Sequence, residues 1–334
     1  MKKIAIDAMG GEKAPEAIVS AVVKFAKEAP NDQFVLFGQE KLIRKYLPKG
    51  QIAQIEIINT TEVIEDEDEP VRAIRRKKDA SMVVAANYVK AGKADALFSM
   101  SNTGALLACG IFIIGRLHGI ARPALMPTLP TKDRNKGFNL IDVGANAQTK
   151  PEYFLRWAQM ADVYAKKVRG LTTPRLALLN NGAEADKGDP VHQAAFDLLK
   201  NSSVNFIGNI EGNELLSGKA DIVLADGFSG NIALKTIEGT AEVILTLLKS
   251  ALLESGFKSK VGALLAKPAL QDLKNQFDTA QYGGAVLLGV KAPVVKTHGR
   301  SDERPIYYTL RQIDKMLVQD VIGDFSRQFS TLTN

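Results

Sequence analysis

Short apolar runs recur along the chain, each closing on or near an acid, an amide or a glycine. They lie at 2–7, 34–37, 55–59, 96–99, 138–142, 175–179, 204–207, 222–225 and 293–296. Runs of this length are the kind buried in a sheet covered on both faces. Between them stand stretches with helical spacing: 14–27, 81–91, 151–169, 191–200, one from the 222–225 run to about 251, and a last one at 305–329. Pro15 falls in the first turn of the first helix, where a missing N–H costs nothing. Strand and helix in alternation predict an α/β fold with a largely parallel sheet. Residues 123–131, broken by Pro123, Pro127 and Pro130, do not suit a central strand, because proline cannot donate to the ladder. Phe154, Trp157, Ala161, Tyr164 and Val168 form one helical stripe, which belongs in the core or at a subunit interface.

Composition adds little to the fold but limits the setting. The 334 residues carry no tandem repeat and no low-complexity linker, so a single domain over 1–334 is expected. The one excursion is at about 256–274, where two apolar helical fragments flank Lys267-Pro268. They carry Phe257, Val261, Leu264, Leu265, Leu270 and Leu273, interleaved with Lys258, Lys260, Lys267 and Lys274. This reads either as a helical hairpin on a partner subunit or as a basic amphipathic tip on a membrane surface. No run is long enough for a transmembrane helix, and the amino terminus enters a strand directly, without a signal peptide. Cys109 is the sole cysteine, which prevents an internal disulfide and fits a reducing compartment. Its apolar surroundings suit a core residue. His118, His192 and His298 lack zinc spacing.

The formal net charge of +6 suits a partner of opposite sign: nucleic acid, an acidic carrier protein, an anionic substrate or an anionic membrane. The densest basic stretch, Arg72, Arg75, Arg76, Lys77 and Lys78, follows the acidic residues 62–70. Arg72, Arg75 and Arg76 share a helical face. The stretch is either a solvated helix neutralised by its neighbour or a docking patch for phosphate or an acidic protein.

Candidate chemistry lies at the strand ends. Asp7, Asn102, Asp142, Asn180, Asp226 and His298 each follow an apolar run near a glycine. Carboxyl ends of parallel strands share one edge, so these residues should line one crevice. In 220–236 the run 222–225 meets Asp226-Gly227, then Ser229-Gly230-Asn231 and a helix start. A strand, a glycine turn and a helix start leave N–H groups free for an anion. Lys235, about one turn inside, would reach back over that mouth. An ordinary βα connection with a surface lysine gives the same pattern. Neither the dinucleotide fingerprint nor the phosphate-binding loop motif is present.

Seven pieces, in order and spanning nearly the whole chain, resemble the bacterial phosphate acyltransferase family, the PlsX type of phospholipid synthesis. They are Ile6-Asp7-Ala8-Met9-Gly10-Gly11, the stretch from Glu69-Pro70 to Lys77-Lys78, Asn102-Thr103-Gly104-Ala105, Asp142-Val143-Gly144-Ala145-Asn146, the stretch from Asp226-Gly227 to Leu234-Lys235, Tyr282-Gly283-Gly284-Ala285, and Lys296-Thr297-His298-Gly299-Arg300-Ser301-Asp302. Glu12-Lys13 stand where that family usually has Asp-His, so no essential histidine is expected at 13. The resemblance implies transfer of a long-chain acyl group from acyl carrier protein to inorganic phosphate, giving acyl phosphate for a neighbouring membrane acyltransferase. It also implies a three-layer α/β sandwich with a mostly parallel mixed sheet, isocitrate/isopropylmalate-dehydrogenase-like. A homodimer is implied too, with no metal or organic cofactor, no nucleic acid, and a cytoplasmic, loosely membrane-associated location.

On this reading the phosphate must be stripped of water and held against the thioester carbon. The backbone of Gly10, Gly11, Gly227, Ser229, Gly230 and Asn231, with Lys235, is the expected cradle. Asn102, Thr103 and Asn146 are candidate oxyanion donors. His298 or Lys296 would assist the leaving thiolate, while Asp7, Asp142 and Asp226 orient those cations. Asn180 is a further binding residue, and Arg72, Arg75, Arg76, Lys77 and Lys78 would dock the carrier. Two other classes remain. A NAD- and metal-dependent hydroxyacid dehydrogenase of the same fold needs clustered carboxylates and an arginine clamp, and neither is evident. A non-catalytic protein would bind acyl carrier through the Arg72 to Lys78 face alone.

Overall fold

The computed structural model describes residues 1–50, 52–133, 136–254, 256–277 and 279–330. The strands are β1 Lys3–Asp7, β2 Gln33–Gly38, β3 Ile55–Asn59, β4 Ala96–Ser99, β5 Ala124–Met126, β6 Thr128–Pro130, β7 Gly137–Ile141, β8 Leu176–Leu179, β9 Phe206–Ile210, β10 Ile222–Leu224, β11 Ala285–Leu288 and β12 Val294–Lys296. They form two mixed sheets, ordered β3-β2-β1-β4-β12-β11-β5 and β6-β7-β10-β8-β9. In the first sheet β11 runs against its neighbours, and in the second β6 does; the other pairings are parallel. Burial follows the sequence pattern in the inner strands, where Ile4, Ala5, Ile6, Phe34 to Phe37 and Ile222 to Leu224 are fully enclosed, but the runs at 55–59 and 204–207 form edge strands β3 and β9 that are only partly buried.

The proline-rich stretch forms two three-residue strands, one at an edge of each sheet, with Pro127 between them. Edge positions tolerate the missing donor. The chain therefore crosses here from one sheet to the other, and this seam positions the site.

Helices cover both faces. Helix α1 Glu16–Ala26 packs on α10 Glu303–Val318, while α3 Pro70–Arg76, α4 Ser81–Lys90 and α5 Thr103–Ala108 lie with the opposite apolar cluster. A π-helical segment, Cys109–Ile114, continues α5. The remaining helices are α2 Glu40–Tyr46, α6 Pro151–Lys167, α7 Pro190–Lys200, α8 Gly227–Glu254, α9 Phe257–Phe277 and α11 Val321–Phe329. The stripe on α6 is core: Phe154, Trp157, Ala161 and Tyr164 sit in one apolar cluster with Ile4 and Phe98 of the first sheet and Ile141 and Leu224 of the second.

Two helix expectations need correction. The last helix is broken: Asp320 takes a left-handed φ of 47° and its carboxylate caps Gly323 N–H at 3.2 Å, starting α11. Aspartate tolerates this conformation because its side chain can satisfy nearby N–H groups. The two fragments expected around Pro268 are one helix, with Pro268 inside α9. A proline removes one hydrogen bond but does not always end a helix. Helix α9 folds back on α8. The side chains of Phe257, Lys258, Lys260, Val261, Leu273 and Lys274 lie outside the described residues. Among the described residues no helix is long and apolar enough to cross a membrane.

Candidate active site

Where the two sheets meet, a cavity of about 270 Å³ opens. Its polar lining includes Thr103 at the start of α5, Asn231, Lys235 and Glu238 on α8, and Lys296, His298 and Ser301 after β12. Its apolar lining includes Leu125, Leu129, Val143 and Leu234, the first two from the crossing strands. Carboxyl ends of parallel strands bring Lys296 and Thr103 together, as β12 and β4 pair in register with Lys296 opposite Ser99. The segment with Gly10 and Gly11 adjoins this wall. A Cβ on Gly10 would strike Ser101 at 2.8 Å, and one on Gly11 would strike the Gly299 carbonyl at 2.8 Å. Gly11 has φ +94°, so it answers both a close approach and a left-handed backbone.

Among the polar residues of the lining, Lys296 stands apart. Among the described residues no carboxylate comes within ion-pair distance of it, and its ammonium donates only to the Thr297 carbonyl at 3.2 Å. Burial lowers its pKa from 10.5, the attraction of Asp66 and the repulsion of Lys235 being secondary. A desolvated, unpaired ammonium is costly unless an anion arrives to pair with it. Lys235 differs, being exposed and bound to Glu238 at 2.7 Å. Burial and the Lys296 charge likewise lower the pKa of His298 below 6.5. His298 Nδ1 accepts from the Arg300 N–H at 3.2 Å. That acceptor role leaves the proton of the neutral ring on Nε2, so near neutral pH His298 is a hydrogen-bond donor through Nε2–H.

Several expected site groups are already engaged inside the protein. The amide of Asn102 donates to the carbonyls of Glu65, Asp66 and Asp68 at 3.4, 2.9 and 3.3 Å, and its Oδ1 caps α5 at Ala105 N–H. It fastens the 65–68 turn and has no spare donor for an oxyanion. The Asn146 amide is spent on the Pro123 carbonyl at 2.8 Å and Asp142 at 3.0 Å. Asp7 and Asp142 orient no cation. Asp7 accepts from Ser81 and Ser99 hydroxyls at 2.6 and 2.7 Å, and Asp142 from the N–H groups of Leu125, Ala145 and Asn146. Burial raises both pKa values, opposed by these hydrogen bonds. Asn180 does not line the cavity; just after β8, farther into the second sheet, its amide donates to the Lys187 carbonyl at 3.1 Å.

The turn after β10 shows the same substitution of an internal partner for an external one. Asp226 Oδ1 accepts the N–H groups of Phe228 and Ser229, both at 2.9 Å, and Gly227 N–H donates to the Asn146 carbonyl at 3.0 Å. The protein's own carboxylate therefore sits where an incoming anion was expected. Gly227 and Gly230 serve close approach: a Cβ on either would fall well inside the 3.0 Å limit, against the carbonyls of Asn146 and Asp142 respectively. The helix presents its side, through Asn231, Leu234 and Lys235, to the cavity.

His192 has a role that the sequence reading did not assign. Its Nδ1 lies 3.1 Å from Asp189 and its Nε2 lies 3.6 Å from Asp226, with the ring against Phe154. Asp226 raises the His192 pKa above 6.5, outweighing burial, and Asp189 adds to the effect. Burial pushes the Asp226 carboxyl up, but bonds from His192 and Ser229 hold it far below the usual carboxylate range. Only the capping signal Asp189-Pro190 ahead of His192 hinted at this cluster. Because the folded pKa of His192 is raised, its stabilisation is complete below about pH 6.5 and fades as pH rises through the folded value. The difference in Tm between the parent and His192→Gln should therefore be largest near pH 6 and narrow toward pH 9; a gap that widens over this range would contradict the ion cluster.

The basic segment divides. Arg72, Arg75, Arg76 and Lys78 are exposed, while Lys77 turns back to Asp68 at 2.5 Å and the Val63 carbonyl at 2.9 Å. Pro70 and Gly104 hold α3 to α5: a Cβ on Gly104 would meet Pro70 Cγ at 2.5 Å.

The chain is a two-sheet α/β protein with the candidate site at the seam, and solved phosphotransacylases share its fold. A branched-chain phosphotransacylase from Enterococcus faecalis V583 superposes with a TM-score of 0.59, covering 95% of this chain and 99% of its own, at 17% identity. A phosphotransacetylase from Streptococcus pyogenes superposes at 0.61, covering 96% and 94%, also at 17% identity. The chain belongs to the family described as fatty acid synthesis protein, whose model matches residues 2–323. Its relatives include the phosphate acyltransferases of Lactobacillus gasseri, 67% identical over 330 residues, and Lactobacillus acidophilus, 65% identical over 331 residues, each alignment covering 99% of both chains.

Proposed function

We infer that the chain is a phosphate acyltransferase, moving an acyl group from a thioester to inorganic phosphate. One observation carries the reading: one cavity brings Lys296, an ammonium with no ion-pair partner among the described residues, beside the apolar side chains of Leu125, Leu129, Val143 and Leu234. An oxyanion suits the ammonium and a hydrocarbon chain the apolar side chains. The family's phosphate acyltransferases, matched over their full lengths, support the same activity.

Chemistry follows from the groups available. Lys296 and Lys235 draw hydrogen phosphate from water and hold it against the thioester. A phosphate oxygen bonds to the carbonyl carbon, and the resulting oxyanion takes hydrogen bonds from Thr103 and His298 Nε2–H. Collapse breaks the carbon–sulfur bond. The thiolate, with a free-thiol pKa of about 8.5, takes a proton from Lys296, whose lowered pKa makes it a better acid. Lys296 regains the proton that phosphate gives up. Acyl phosphate and free thiol result.

The donor is acyl carrier protein, docked through the basic face that includes Arg72, Arg75, Arg76 and Lys78, and the product passes to a membrane acyltransferase in phospholipid synthesis. The chain acts as one domain in a cytoplasmic homodimer loosely held at an anionic membrane. Exposed Ile232, Val243, Ile244 and Leu247 on α8, with Leu264 and Leu265 on α9, favour a covered face there. We also read the two-sheet plan as isocitrate/isopropylmalate-dehydrogenase-like, supported by a cleft between a larger and a smaller sheet. The test is to incubate the protein with acyl carrier thioester, with and without phosphate, following free thiol and trapping acyl phosphate as hydroxamate. Thiol and hydroxamate should rise together only with phosphate; thiol release that ignores phosphate would refute the function.

A further inference from the structure

Between α3, α4 and the π-helical segment lies a second pocket, of about 320 Å³, lined by buried Ile74 and Val83 and by Arg75, Lys78, Lys90 and Phe112. Among the described residues no acidic one lines it. Among the described residues none of the three cations has a carboxylate partner, whereas Lys77, on the same segment, is neutralised by Asp68. Phe112 is 64% exposed. It stands in the π-helical segment Cys109–Ile114, a geometry that recurs at functional sites. Gly110 presses this segment onto β11: a Cβ there would meet the Leu287 side chain at 2.5 Å. The phenylalanine is thus held at the surface by a rigid support.

We propose that this pocket is the anchor point for the acidic protein that delivers the acyl thioester, with an apolar side chain of the partner's acidic helix entering beside Phe112 and its carboxylates facing Arg75, Lys78 and Lys90. The proposal rests on the phosphate acyltransferase reading and refines its docking face. The anchor recruits Lys90 of α4 and Phe112, leaves Lys77 out, and gives Arg72 only a peripheral part. Charge complementarity selects the partner, since three unpaired cations around an apolar pocket repel a basic surface and leave an acidic one unopposed. Connection to the chemistry is direct. Helix α5 begins at Thr103 in the catalytic cavity and its π-helical continuation presents Phe112, so nine residues, and at most about 14 Å of helical rise, separate anchor and reaction site. A flexible thiol arm on the carrier bridges such a gap.

Two measurements on the full chain test this. The first is calorimetric binding of acyl carrier protein to the parent, to Phe112→Ala and to Arg75→Glu/Lys78→Glu. Each variant should bind roughly tenfold or more weakly, as expected for an aromatic anchor and its complementary charges. Parent binding should weaken as salt shortens the Debye length below about 10 Å. The second is phosphate-dependent turnover of acyl-pantetheine, which lacks the carrier: the variants should match the parent within about twofold, since neither site touches the cavity. Unchanged carrier binding in both variants, or no carrier binding by the parent, overturns the docking site. Equal loss of both donors also overturns it, because the pocket would then serve the fold. If the parent binds the carrier at this pocket but no phosphate-dependent turnover occurs with either donor, the docking site stands and the enzymatic reading falls.

Discussion

Replacing Lys296 with methionine should lower kcat/KM for phosphate by about a hundredfold to a thousandfold, the usual loss when one preorganised charge donor is removed from a closed site. Methionine keeps most of the apolar stem and removes an ammonium that no described carboxylate neutralises. Stability should therefore hold or rise, because the cost of desolvating the cation disappears. The pH profile gives a second signature. With its pKa lowered by burial, the lysine loses its proton at lower pH than a free amine, and activity should decline through that value as pH rises. Lys296→Arg should hold phosphate to higher pH, since guanidinium stays charged beyond pH 12, but turn over more slowly, because guanidinium does not give a proton to the leaving thiolate. Lys235→Met should cost less, because Lys235 is exposed and partly neutralised by Glu238. Steady-state kinetics with phosphate varied from pH 6 to pH 10 would check all three; full phosphate use by Lys296→Met would remove the lysine from the mechanism.

Gly230→Ala should be among the most damaging small substitutions in the chain. The new methyl would overlap the Asp142 carbonyl oxygen and lie 3.2 Å from the Ala225 Cβ. Neither the strand end nor the first turn of α8 can yield, since Asp226 and the Asn146 carbonyl bind that turn from below. The helix must lift, carrying Asn231 and Lys235 with it. Overpacking of this kind costs roughly 3 kcal/mol, and displacement of an aligned group by about an ångström costs about a hundredfold in rate. Gly239→Ala is the control on the same helix: its Cβ meets nothing within 4 Å, so helix propensity should make it neutral to slightly stabilising, by up to about 1 kcal/mol. Thermal melts and turnover of the two variants measure the contrast, and similar behaviour at both positions would undermine the packing of α8 described above.

The contrast between these two glycines also marks what the sequence can and cannot reveal. Strands were legible because buried runs such as Ile222 to Leu224 have few alternatives, and the turns after them were legible because glycine, aspartate and asparagine concentrate there. The gathering of Thr103, Lys296 and His298 followed from parallel strands β4 and β12 sharing an edge, whereas Lys235 comes from the second sheet and joins them only because the two sheets meet at the seam. Partner choice was not legible. An asparagine offers the same amide to a substrate or to a backbone carbonyl, and Asn102 and Asn146 both chose carbonyls more than twenty residues away. N–H groups after a strand invite any anion, and Asp226, immediately before them, supplied one. His192 escaped notice because its two carboxylates are three and thirty-four positions away, and only the fold brings the second to it. The break at Asp320 was hidden because apolar spacing continues across it.

The central claim is that a tetrahedral oxyanion is held at the seam of the two sheets. A crystal soaked with molybdate, a heavy analogue of phosphate, tests this by anomalous difference density. The expected peak lies among Lys235, Lys296, His298 and Thr103. A dominant peak at the turn after Asp226, or elsewhere on the protein with the seam empty, would contradict it.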